Sequence, residues 1–238
     1  MIPVRMNGME AAGRCIDTYF PNCEAALLAG SVVQGGETSA SDLDLIVFDE
    51  SQEGPFRRTY RAFGWIIEAF VMTRDSYRYF FDQAIDSAIP SMLRMCACGQ
   101  ALKGEDAIRD IVSEARDALA AGPFPWSVQE LDRARYEIGE SLADLSGDRS
   151  DAECLFIVAK LTLQLASFAL RSAGCWLGDG KWLYRELERH SLEQSRELLA
   201  ALDAYYTNRN PEPLFALTGR WLEPYGGLLA EGYAEGWT

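Results

Sequence analysis

Gly30-Ser31-Val32-Val33-Gln34-Gly35-Gly36-Glu37-Thr38-Ser39-Ala40-Ser41-Asp42-Leu43-Asp44-Leu45-Ile46-Val47 is the stretch from which the fold is read. A turn of small residues is followed, after ten residues beyond Ser31, by Asp-x-Asp inside an apolar strand. Alternate side chains of a strand share a face. Asp42 and Asp44 therefore project side by side, and Leu43 and Leu45 go to the opposite face.

Two carboxylates held together either raise a pKa or call for a cation. With oxygen ligands and no imidazole, that cation is Mg²⁺ or Mn²⁺. The small-residue turn supplies a matching half, because glycine admits close backbone approach and turn N–H groups with a hydroxyl hold phosphate oxygens. Gly30, Ser31 and Ser41 are the candidates for that contact. A third acid stands within Trp65-Ile66-Ile67-Glu68-Ala69-Phe70-Val71. An acid inside an apolar strand is costly unless paired or liganded. If this strand lies beside the one carrying Asp44, Glu68 completes an acidic triad. The bland alternative is an ion pair of Glu68 with Arg57, Arg58 or Arg61.

Composition narrows the rest. The chain has 238 residues, 48% hydrophobic and 24% charged, which is ordinary globular material. Lys and Arg total 22 against 36 Asp and Glu, a net charge of −14. That argues against a nucleic-acid partner, since phosphate neutralisation needs a basic surface. The only histidine is His190, and none of the six cysteines forms a CxxC pair. A histidine-rich metal site and a Ser-His-Asp triad are thereby disfavoured, and the thiols are expected reduced. The longest apolar run, 154–170, is interrupted by Lys160, Thr162, Gln164 and Ser167 and falls short of the ~20 apolar residues of a bilayer span. Residues 1–8 hold no apolar leader core. No membrane partner and a cytoplasmic location are the expectation.

The pattern predicts an α+β chain. Residues 1–103 are expected to form a small mixed sheet with flanking helices, with strands at 43–48, 56–63 and 65–73 and helices at 9–20, 75–85 and 90–98. Residues 104–238 read as a helical bundle, with helices over 105–120, 127–145, 151–173, 179–189, 192–207 and 213–225. The second of these opens with a capping box, Ser127-Val128-Gln129-Glu130. A functional cleft is expected where the two parts meet.

On Gly30, Ser31, Asp42, Asp44 and Glu68, the chain resembles the polymerase β-like nucleotidyltransferase superfamily, whose signature is Gly-Ser, a spacer, Asp-x-Asp in a strand and a later third acid. The resemblance covers residues 25–72. The helical second half is similar in plan to the small bacterial kanamycin and lincosamide nucleotidyltransferases. Segments 90–95 and 176–183 also look like those of bacterial nucleotidyltransferase-domain proteins. The resemblance implies transfer of a nucleoside monophosphate, from ATP or another nucleoside triphosphate, to a hydroxyl, with Asp42, Asp44 and Glu68 as catalytic metal ligands in a two-metal mechanism. It also leaves room for a homodimer sharing a cleft.

A triphosphate needs fixed positive charge, and Arg94, Lys160 and Lys181 are candidates. Each has a plain alternative: a buried partner for Arg94, snorkelling for Lys160 and a solvated helix start for Lys181. Asp144 is preferred as general base over Glu140 and Glu137 on the same helix, against the alternative of a solvated acidic face. Tyr136 and Trp182 stack on a ring or simply fill core. Three functions compete. They are nucleotidyl transfer to a small hydroxylated acceptor such as an aminoglycoside-like antibiotic, AMP transfer to a partner protein in an antitoxin-like role, and nucleotide binding without catalysis.

Overall fold

The computed structural model describes residues 5–33, 35–234 and 236. The chain divides into two compact units, one ending at Gly122 and the other beginning at Pro123. The architecture is α+β, as the sequence pattern predicts, with a mixed sheet in the first unit and, among the described residues, helices alone in the second.

In the first unit, α1 (Gly8–Tyr19) precedes β1 (Ala25–Ala29), β2 (Leu43–Phe48), β3 (Phe56–Ala62) and β4 (Trp65–Met72). Then come α2 (Tyr77–Ser87), α3 (Ser91–Cys98), β5 (Gln100–Lys103) and α4 (Arg109–Ala121). The sheet order is β3-β4-β2-β1-β5. All pairings are antiparallel except β2 with β4, which run parallel with Asp44 opposite Glu68. One face of the sheet, carrying Leu43, Leu45, Ile67 and Ala69, packs on Ala11, Ala12, Cys15 and Ile16 of α1. Each of those four strand residues is fully buried. The period of two then commits Asp44 and Glu68 to the other face.

The first unit extends past the boundary expected near residue 103, for two reasons. β5, four residues whose pattern gave no strand signal, pairs with β1. α4, which reads as a bundle helix, packs on α3 and buries Ile111 and Ala115 completely. Polar ties reinforce it: Tyr77 Oη donates to Glu114 at 2.6 Å, and Arg74 pairs with Asp110 at 3.1 Å. Gly122, with φ at +83°, and Pro123 then stop the helix.

The second unit holds α5 (Val128–Ser146), α6 (Asp151–Ser172), α7 (Lys181–His190), α8 (Leu192–Asn208) and α9 (Glu212–Leu222), and α6 to α9 each pack on the helix before them. The core runs through Ile138, Leu161, Leu165, Phe168, Leu198 and Leu217. Buried Arg171 fastens the segment entering α5. It donates to the carbonyls of Phe124 and Cys175 and stands 5.7 Å from the Trp126 ring. α6 corrects one expectation: it is 22 residues long with mean hydropathy 1.6 in its most apolar window, so by length and composition it is apolar enough to cross a bilayer. Lys160 is the single charge among the four interrupting residues, and one charge does not undo the run. Here its stripe Val158, Leu161, Leu165 and Phe168 is bundle core.

Both long helices begin with reciprocal caps. Ser127 accepts from the Glu130 N–H, and the Glu130 carboxylate accepts from the Ser127 N–H and hydroxyl. Those two donors, the backbone first, pull the Glu130 pKa below the ordinary glutamate range. Ser127→Ala is expected to cost about 1 kcal/mol, read as a lower unfolding midpoint at pH 7. The folded pKa is depressed, so Glu130's share is present above its unfolded value, near 4.3, and lost as pH falls through the folded value. Glu130→Ala should therefore lower the midpoint at neutral pH, by an amount that shrinks as pH falls through the folded value.

Candidate metal and nucleotide site

The parallel register of β2 and β4 builds the site. Adjacent strands lie about 4.8 Å apart, so Asp44 and Glu68, opposite one another, face the same way across one strand spacing. Asp42 sits one residue before β2 and joins them. One carboxylate oxygen from each of the three residues lies within 4.8 Å of the other two. All three side chains are half-buried. Oxygens bound at ~2.1 Å to an octahedral ion lie ~3.0 Å apart in cis positions and ~4.2 Å in trans, so the triad would contract from its present spacing to close round one Mg²⁺ or Mn²⁺. An all-carboxylate donor set also suits those hard cations.

Gly30 ends β1 at φ +74°, a conformation that glycine adopts without strain. A methyl group there would collide with the Asp44 carboxylate, so the turn and the acid are in van der Waals contact. Ser31 follows, with its hydroxyl 3.4 Å from that of Ser41. The Ser41 hydroxyl also accepts from the Thr38 N–H at 2.9 Å, and the Gly36 N–H donates to the Ser31 carbonyl at 3.0 Å. The structure thus brings Gly30, Ser31, Ser41, Asp42, Asp44 and Glu68 together at one end of the sheet.

Two arginines complete the surroundings. Arg5 lies over the Trp65 ring at 3.3 Å and donates to the carbonyls of Thr38, at 3.0 Å, and Ser41. It fastens the 31–42 loop to β4, a role no sequence motif announces. Arg57 of β3 forms an ion pair and hydrogen bond with Glu68. The ion-pair alternative for Glu68 is therefore realised alongside the acidic convergence. The Glu68 hydrogen bond first, and then the charges of Glu68, Asp44 and Asp42, raise the Arg57 pKa and keep it cationic. Arg57 is 57% exposed and Glu68 18%, so the pair adds ~1 kcal/mol or less to stability.

The other expected residues are distributed differently. Arg94 is half-buried on α3 of the first unit. Asp144 and Lys181 belong to the second unit. Asp144 pairs with Arg149 at 2.9 Å, a pair that a base role would have to break. Lys181 is exposed at the start of α7, and Lys160 is exposed on α6. Glu137 pairs with Arg133 at 2.9 Å, while Glu140 is exposed. Tyr136 stacks on Tyr233 with ring centroids 4.3 Å apart, and Trp182 carries Arg185 over its ring at 4.6 Å. All six cysteines are free thiols. His190 does meet a thiol, with Nδ1 3.4 Å from Cys175 Sγ. Burial pushes the Cys175 pKa up, which opposes a nucleophilic thiolate.

No protein-family model and no curated protein matches the chain. Among solved structures, it is similar to a nucleotidyltransferase-like protein from Exiguobacterium sibiricum, at 11% identity and a TM-score of 0.47, over 91% of this chain and 73% of the other.

Two substitutions test the geometry. Gly30→Ala should weaken Mn²⁺ binding at least about tenfold in calorimetric titration while far-ultraviolet circular dichroism stays native, because the added methyl displaces Asp44; its strain is ~1–3 kcal/mol. Arg57→Gln removes a positive charge beside the triad and should tighten Mn²⁺ binding, by about fivefold for a ~1 kcal/mol interaction.

Proposed function

We propose that the chain is a nucleotidyltransferase that moves a nucleoside monophosphate from a nucleoside triphosphate to a hydroxyl of a small molecule. The observation that carries this reading is the convergence of Asp42, Asp44 and Glu68 beside the Gly30-Ser31 turn. The acceptor oxygen would form a bond to the α-phosphorus. The bond from that phosphorus to the β-phosphate bridging oxygen would break, and pyrophosphate would leave with the electron pair. The acceptor proton would pass to a base or to solvent.

Asp42, Asp44 and Glu68 would hold Mg²⁺ or Mn²⁺. Such an ion, when bound, lowers the pKa of a coordinated hydroxyl and offsets charge on the leaving pyrophosphate. The chain's own groups position the donor. The Gly30-Ser31 turn offers backbone N–H groups and the Ser31 and Ser41 hydroxyls to phosphate oxygens. Arg5 keeps that loop against β4. Such catalysis works by positioning and by fixed charge. ATP is the donor we favour, and the cytoplasm the location.

One observation favours a second reading, a nucleotide-binding protein without catalysis: Arg57 already neutralises Glu68. Both readings predict donor binding, and only the first predicts pyrophosphate release.

Thermal unfolding with ATP, GTP, CTP or UTP, each with Mg²⁺, tests the donor site. A ligand at ~100 times its dissociation constant adds ~2.7 kcal/mol of stability. One nucleotide is expected to raise the midpoint in a Mg²⁺-dependent way, and Asp44→Asn should abolish the rise. Equal behaviour of wild type and Asp44→Asn with every nucleotide would remove the proposal.

A further inference from the structure

An open cavity of 550 Å³ lies beside the acidic triad, within the first unit, and no step above uses it. Its floor is Phe70 of β4, and its walls include Phe80 of α2 and Met95 of α3. Arg57 stands at its edge, and Gln83 and Asp86 of α2 line its rim. Phe70 follows Glu68 by two residues, so both side chains point from the same face of β4, ~7 Å apart along the strand. Arg57 joins them, pairing with Glu68 while its guanidinium stands 5.2 Å from the Phe70 ring.

Resting on the nucleotidyltransferase reading, we propose that this cavity holds the body of the acceptor. The acceptor would be a hydroxylated small molecule with an aromatic or alicyclic body, uncharged or anionic at the end that meets Arg57.

Three observations carry this. The first is position. The sheet order β3-β4-β2-β1 puts the Gly30-Ser31 turn after β1, and the cavity on the β3–β4 side of the acids. Phosphoryl transfer needs attacking and leaving oxygens roughly in line. With the donor's phosphates held on the β1 side, the acceptor enters from the β4 side. The second is size and lining. A volume of 550 Å³ falls in the range of small-molecule sites, and a mostly apolar wall with a few polar groups is their usual composition. Phe70 and Phe80 suit a flat ring, and Met95 adapts to its outline. The third is charge. The chain's net charge of −14 would draw a polycation to the surface at large, but with the three acids engaged by a divalent ion the Arg57 guanidinium would be the charge left between cavity and triad. A polyamine sugar would bring like charge against it at the reacting end. Asp86 in the lining could meet a single amine.

The test uses the full chain with Mg²⁺ and the triphosphate that raises its unfolding midpoint. Two probe sets are incubated separately. One is uncharged or singly anionic aryl and alicyclic alcohols and glycosides, and the other is sugars bearing three or more amines. Pyrophosphate release and a mass gain of one nucleoside monophosphate are read. Products are expected from the first set alone. Gln83→Trp, which fills the cavity from an exposed position, should slow their formation at least tenfold while leaving the donor-induced stabilisation unchanged. Product from the polyamine sugars would overturn the proposal, as would an unaffected rate in Gln83→Trp. Loss of donor stabilisation in that variant would do the same, since the cavity would then hold the nucleobase. So would a wild type that is stabilised by donor yet forms no product with either set. A wild type stabilised by no triphosphate would instead sink the nucleotidyltransferase reading, and this proposal with it.

Discussion

The site depends on one pairing, the parallel register that sets Asp44 of β2 opposite Glu68 of β4. Two carboxylates with oxygens within 4.8 Å repel by roughly 3 kcal/mol at an effective dielectric constant near 20. The fold does not relieve that strain by turning one acid away. Leu43, Leu45, Ile67 and Ala69 are fully buried on the opposite face, and a one-residue slip of either strand would turn its own pair off that face. Burial of a large aliphatic side chain is worth ~1.5–3 kcal/mol each, so the apolar register outweighs the acidic repulsion. Hydrophobic burial thus holds a charge arrangement in place that electrostatics alone would disperse.

Arg57 shows what happens to the imbalance. Its guanidinium takes one carboxylate, and the charges of all three acids hold it protonated. The ion pair is too exposed to add much stability. It nevertheless turns the cationic side of the site toward β3. The site is therefore polar in the electrical sense. A turn of backbone and hydroxyl groups lies on the β1 side, a guanidinium on the β3 side, and carboxylates between them.

Much of this was legible because it obeys short-range periodicity. Asp-x-Asp on an apolar strand must place both acids on one face, and an acid inside Trp65–Met72 must have a partner. What periodicity cannot carry is pairing. Nothing local tells that β2 and β4 run parallel with Asp44 at the level of Glu68, or that Arg57, rather than Arg58 or Arg61, reaches the acid. The register sets Thr59 opposite Glu68 with Arg57 and Arg61 on its two diagonals, and Arg57 makes the pair. The same limit misplaced the boundary. α4 is amphipathic like any bundle helix, and only its packing on α3 shows that its apolar stripe belongs to the first core. β5 is four half-exposed residues that gain strand character from β1 alone. Arg5 makes its contacts with residues more than thirty positions away, beyond any motif.

The division of labour within the site follows from burial. The acids stand on or beside strands whose inward neighbours are fully packed, so their spacing is inherited from the core. The loop after β1 packs Val32 and Val33 against that core and leaves the residues from Gly36 to Ala40 exposed. Its hydroxyls and amides are tied by a few bonds among Ser31, Thr38 and Ser41 and by the Arg5 guanidinium across to Trp65. Precision is needed where a small cation with strict geometry is held, and adaptability where a long polyanion must be gripped. On the proposed nucleotidyltransferase function, a strand pair would hold the acids and a tethered loop would meet the phosphates, which divides those two demands between them.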